Sequence, residues 1–139
     1  MTANVWRRSI VGLAIMLAPG FSVAQNKPPK AADSMYAELA KVPKKAAART
    51  NPFESDAEAP IAGAKLYAQH CGECHGENAE GGKKGPSLRV SEVQQATPGT
   101  LFWLLTNGVV RKGMPVWSKL PDAQRWQLVT YIKSLGTGS

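Results

Sequence analysis

Five consecutive residues, Cys71-Gly72-Glu73-Cys74-His75, constrain this chain more than any other feature in it. The C-x-x-C-H spacing is the signature of covalent c-type haem attachment. The chemistry explains each residue. Two thiols separated by two residues are placed to add across the two vinyl groups of haem and form thioethers. The histidine beside the second thiol is then held under the iron as an axial ligand. Cys71 and Cys74 are the only cysteines in 139 residues, so no other pairing competes for them. Other uses of such a pair fit less well. A thioredoxin-type redox pair needs a strand–helix–strand surround, and no such pattern flanks this one. A structural zinc site needs four ligands, and the only histidines, His70 and His75, crowd into the same six residues as the cysteines. A disulfide over so short a loop stabilises little.

An iron held in this way usually takes a second axial ligand. Beyond the leader, the methionines are Met35 and Met114. Met35 lies in a polar, lysine-rich stretch well before the motif. Met114 lies in Gly113-Met114-Pro115-Val116-Trp117, 39 residues after His75. Gly113 is read as allowing close backbone approach, and Pro115 as stiffening the chain after the ligand. The plain alternative for Met114 is a flexible core filler. His70 adjoins Cys71 on the attached side and is read as an ordinary helix residue.

Together, Cys71 to His75, Gly85-Pro86-Ser87-Leu88, Met114-Pro115 and a closing amphipathic helix resemble a class I cytochrome c of the small bacterial kind, over about residues 56–137. The resemblance implies an all-α fold: three main helices and loops wrapped around one covalently bound haem c. It implies that the Pro86 carbonyl accepts from the ring N–H of His75, an outer contact that fixes the tautomer of a ligating histidine. It also implies that Leu88 packs on the haem face. Without the resemblance, Pro86 is simply a turn proline after Gly85. In the family the first and last helices cross at a glycine on one and aromatics on both. Gly63, Tyr67, Leu128 and Tyr131 match those positions. Pro121 departs from the pattern, standing where relatives usually place a capping serine.

The helices are also legible locally. The first begins near Pro60, a residue tolerated in a first turn, and runs towards Cys71. A middle helix is announced by Thr97-Pro98, an N-cap followed by proline. Leu101, Leu104 and Leu105 mark its buried side, and Asn107-Gly108 ends it. The last helix carries Leu128, Tyr131, Ile132 and Leu135 in an i, i+3, i+4, i+7 stripe. Trp117, just after the methionine loop, is expected near the haem. Trp126 is expected in the core or at its rim, and Trp103 at a rim position of the middle helix, the alternative being that its indole N–H donates to a haem propionate.

Three segments are expected: a cleaved secretory signal at 1–24, a basic extension or linker at 25–52 and the cytochrome domain at 53–139. Arg7-Arg8, the apolar run Ile10 to Ala18 and Ser22-Val23-Ala24 have the order of a Sec-type signal peptide. The twin-arginine alternative suits chains exported folded, which c-type attachment disfavours. The apolar run is shorter than the roughly 20 residues a membrane span needs. In the extension, Lys27-Pro28-Pro29-Lys30 reads as extended linker. Ser34 to Lys41 reads either as a short helix, with Met35, Tyr36 and Leu39 on one side, or as a disordered spacer.

The net charge of +7 belongs mostly to the first fifty residues, because residues 51–139 carry nine basic and eight acidic side chains. No basic stripe interleaved with aromatics runs through the domain, which argues against nucleic-acid binding. The expected protein is a periplasmic electron carrier with His75/Met114 ligation, not an enzyme, without stable membrane insertion after signal cleavage. It would be a monomer or a subunit of a complex, and would serve redox partners such as a dehydrogenase or a terminal oxidase. The alternatives are a non-catalytic haem subunit of such a complex and a haem enzyme with a labile sixth ligand. Lys83, Lys84, Arg111 and Lys112 flank the two site loops. They are either solvated loop charges or a docking ring.

Overall fold

The computed structural model describes residues 36–136; the expected signal peptide and Met35 lie outside them. A 3-10 turn, Ala37–Lys41, leads into six helices. These are α1 (Lys44–Ala47), α2 (Ala59–His70), α3 (Gly72–His75), α4 (Ser91–Gln95), α5 (Pro98–Asn107) and α6 (Asp122–Ser134). A second 3-10 turn, Val110–Lys112, lies between α5 and α6. The fold is all-α, and α2, α5 and α6 are its three long helices.

The crossing of α2 on α6 organises the domain. A Cβ placed on Gly63 would lie 2.1 Å from the Gln127 carbonyl oxygen and 2.8 Å from Tyr131 Cβ. Only glycine permits an approach this close. One turn further along α2, Tyr67 meets Tyr131 with ring centroids 5.2 Å apart and planes tilted by 51°. Tyr67, Leu128 and Val129 are fully buried. The four positions matched to the family therefore do meet at the crossing.

Thr97 caps α5 by accepting from Thr100 N–H at 3.2 Å, a contact worth about 1 kcal/mol. Gly108, with φ of +66°, ends the helix. On α6 the buried face is wider than the sequence stripe. Arg125, Trp126 and Val129 are buried beside Leu128 and Ile132. Trp126 stacks on Phe102 of α5 at 4.0 Å between centroids and so lies in the core. Pro121 precedes α6 with no side-chain cap. Asp122 instead pairs with Arg125 in the first turn, where a carboxylate favours the helix dipole.

Residues 36–52 are not a detached linker. The carbonyls of Ala46, Ala47 and Arg49 crowd Gly99, on which a Cβ would fall 2.3 Å from the Ala46 oxygen. The Thr97 hydroxyl that caps α5 also donates to the Ala47 carbonyl at 2.7 Å. Arg49 lies over the rings of Phe102 and Trp126, 4.4 and 5.3 Å from their centroids. Asn51 Nδ2 donates to Thr130 Oγ1 at 2.9 Å. Of the segment read as either a short helix or a spacer, Ser34 and Met35 lie outside the described residues, and Ala37–Lys41 forms a 3-10 turn.

Candidate haem site

The end of α2 positions the motif. Cys71 N–H still bonds to the Tyr67 carbonyl at 2.8 Å. The single turn of α3 follows, with Cys74 and His75 N–H groups both returning to the Cys71 carbonyl at 3.1 and 2.9 Å. One helical turn thus sets Cys71, Cys74 and His75 at i, i+3 and i+4, which share a face. The Tyr67 hydroxyl donates to the Gly76 carbonyl at 2.7 Å and holds the end of this turn. Burial pushes that hydroxyl far above its ordinary range, so it remains a donor. Cys71 is buried and Cys74 half-buried. Burial, with Cys74 beside it, pushes the Cys71 thiol up to about 11.

His75 Nδ1 lies 2.7 Å from the Pro86 carbonyl oxygen. A carbonyl only accepts, so this contact places a proton on Nδ1 and leaves Nε2 as the ring nitrogen available to a metal. Gly85 makes room for the arrangement, since a Cβ there would lie 3.1 Å from His75 Nδ1 and from the Cys74 oxygen. The loop is pinned by Gly81 N–H on the His75 carbonyl at 2.7 Å and by Leu88 N–H on the Ala79 carbonyl at 2.9 Å.

Met114 sits on a second loop. Its backbone forms an isolated antiparallel bridge with Val109, with N–H···O distances of 3.0 and 3.2 Å. Trp117 N–H then bonds to the Leu105 carbonyl at 3.0 Å. The glycine that permits close approach here is Gly108, whose Cβ would lie 2.7 Å from the Pro115 oxygen. Gly113 meets nothing within 4 Å. It lines the cavity and makes a left-handed turn at φ +89°.

One cavity of about 380 Å³ gathers these pieces. Cys71, Cys74, His75, Pro86, Leu88, Met114 and Trp117 all line it. Val93, Leu101, Leu104, Leu105 and Ile132 complete an apolar wall. Among the described residues no group of three or more His, Cys, Asp and Glu is gathered to hold a bare metal ion. The donor set fits haem. Two sulfurs stand on one helical turn with an imidazole whose outer nitrogen is committed to Pro86, and a thioether shares the same apolar cavity. The middle helix supplies the leucines that its pattern promised.

Two parts of the wall were missed. His70 lines the cavity and packs its ring on Trp117, centroids 5.1 Å apart. Tyr36, Glu38 and Leu39 line it from the N-terminal segment. The Tyr36/Leu39 pairing was visible in the sequence, but what it packs against was not. The Glu38 carboxyl is held below its usual range, first by its bond to Lys41 and more weakly by the charges of Lys112 and Arg111. Lys84 bonds to Glu73 at 2.5 Å.

A C-x-x-C-H turn and a carbonyl-oriented imidazole on an apolar crevice, in an all-α domain, point to a class I c-type cytochrome. Residues 58–132 match the family described as cytochrome c oxidase, cbb3-type, subunit III, more than half of the chain, and the chain belongs to this family of cytochrome c domains. The chain is 38% identical over 102 residues to a cbb3-type cytochrome c oxidase subunit CcoP of Azospirillum brasilense, covering 63% of this chain and 32% of that protein. It thus spans about a third of the length of that relative. It is 32% identical over 94 residues to cytochrome c550 of Pseudomonas aeruginosa, covering 62% of this chain and 65% of that one. The crystal structure of cytochrome CL from Methylophaga aminisulfidivorans has a similar fold, with a TM-score of 0.52 and 29% identity over 60% of this chain and 57% of the other. Among the described residues no helix is long and apolar enough to cross a membrane.

Proposed function

We propose that this protein is a periplasmic electron carrier holding one haem c, bound covalently through Cys71 and Cys74, with His75 and Met114 as axial ligands. The observation that carries this reading is the convergence of both thiols, the Pro86-oriented imidazole and the Met114 thioether on one apolar cavity. Haem, when bound there, supplies an iron that exchanges one electron between its ferrous and ferric states. Cys71 and Cys74 tether the group to a short helical turn and prevent its loss. Pro86 holds the His75 ring in one orientation. Leu88, Val93 and Leu101 exclude water from the crevice, which favours the less charged ferrous state. Met114 as a thioether ligand raises the potential further. With His75 and Met114 both committed to the metal, no open position is left for a substrate, and we read the protein as a carrier and not an enzyme.

The test is attachment. Cys71→Ser or Cys74→Ser should leave one thioether or none, visible as a shifted pyridine haemochrome spectrum. The double variant should be largely unfolded, because a domain this small has little apolar core without its cofactor. A cooperative melt of a haem-free double variant would contradict the reading.

A second reading has its own support: the family match and the CcoP relative are oxidase subunits. On that reading the domain is a fixed electron-entry module of a terminal oxidase. Size-exclusion chromatography of the mature chain with its native membranes separates the two.

Docking would draw on Lys83, Lys84, Arg111 and Lys112. The structure tempers this ring, because Lys84 bonds to Glu73 and Glu38 lies close enough to Arg111 and Lys112 to feel their charges. Second-order transfer to an acidic partner should still fall as salt rises, since charges beyond about 8–10 Å are screened at 0.1–0.15 M. Changing all four residues to Gln should lower the rate at low salt and flatten the dependence. Equal rates and equal slopes for both proteins would exclude docking through these charges.

A further inference from the structure

Residues 36–52 lie before the region that matches the family, which starts at residue 58. Even so they build part of the crevice. At their near end Tyr36 and Leu39 stand in the cavity wall. The Tyr36 hydroxyl donates to the Ser87 carbonyl at 3.0 Å. Ser87 directly follows Pro86, whose carbonyl orients His75. At their far end they are held on the opposite flank of α5 by the glycine contact at Gly99, the Thr97 hydroxyl and the Arg49 guanidinium. The segment is therefore anchored at one end and inserted into the site at the other.

We propose that residues 36–52 form a strap that closes one wall of the haem crevice, with Tyr36 and Leu39 as positioning residues that shield the iron and steady the loop behind His75. The inference rests on the haem reading above. Two physical effects follow. Leu39 replaces water at the crevice edge, and a drier crevice favours the ferrous state. Tyr36 ties the Pro86-Ser87 backbone down, so the acceptor of the His75 proton is less free to shift. The strap thus acts on the potential and on access of small ligands to the iron, besides adding to stability.

Gly99 is where the strap can be released without touching the crevice. It lines no part of the cavity, yet a methyl group there collides with the strap's carbonyls. The haem-loaded full chain carrying Gly99→Ala, and separately Leu39→Ser, would be compared with wild type. The measurements are reduction potential by spectroelectrochemistry and imidazole binding to the ferric protein. Both variants should show a lower potential and imidazole affinity raised about tenfold, as expected when the open state becomes the populated one. Leu39→Met should restore wild-type behaviour. If Gly99→Ala does not accumulate, Leu39→Ser against Leu39→Met decides alone. Variants that melt earlier but keep the wild-type potential and imidazole affinity would overturn the proposal and leave the strap a purely structural support. Failure of the underlying haem reading would look different, because wild type itself would then lack covalent haem.

Discussion

Met114→Ala is expected to remove the weak far-red absorption that marks iron–methionine bonding in ferric cytochromes of this class. The same change should open the iron to imidazole or cyanide. A methionine bond worth only about 1.4 kcal/mol already suppresses a competing ligand about tenfold, so the gain in affinity should be at least of that order. The potential should fall, because the thioether favours the ferrous state. The fold should survive the change. The Val109–Met114 bridge is made by backbone atoms and does not depend on the side chain. Trp117 keeps its bond to Leu105 for the same reason. A Met114→Ala protein that retained the absorption would remove this residue from the ligand set.

Gly63→Val is expected to be the most damaging single change away from the cavity. Even the first carbon added there would sit 2.1 Å from the Gln127 oxygen, a backbone atom that cannot turn aside. The helices must separate, and Tyr67 and Tyr131 lose their contact. Overpacking of this kind costs about 3 kcal/mol or more. For a domain of this size that corresponds to a drop of roughly 12–24 °C in Tm. Thermal melts of the haem-loaded proteins followed at the Soret band would check it. A Gly63→Val protein melting within a few degrees of wild type would show that the crossing is looser than the contact distances imply.

What could be read from the chain was local. Thr97-Pro98 declares its helix start within a few residues and is found as expected, while the contact of His75 with the Pro86 carbonyl was implied only by the family resemblance and is present. The α2–α6 crossing was legible because a glycine and two tyrosines on facing helices carry a recognisable pattern. What escaped depends on neighbours distant in sequence. Tyr36 reaches Ser87 across 51 residues, and Asn51 reaches Thr130 across 79. Nothing near residue 40 says that Gly99 awaits its backbone. Arg125 was passed over because a charged residue is ordinarily assigned to the solvent face of a helix. Here it is buried, with its charge met by Asp122 and its guanidinium 4.8 Å from the Phe102 ring centroid. Met114 was proposed by elimination, but the part of Gly108 in its loop was not foreseen, because the Pro115 carbonyl it packs against lies seven residues away.

The burial of Cys71 bears on when its sulfur can be reached. Thioether formation needs a reactive sulfur with room to meet a vinyl group. In the closed chain that residue is buried, and burial holds its thiol above the ordinary range. On the haem reading, attachment is then easier while the chain is still open, before the close crossing of α2 on α6 is made.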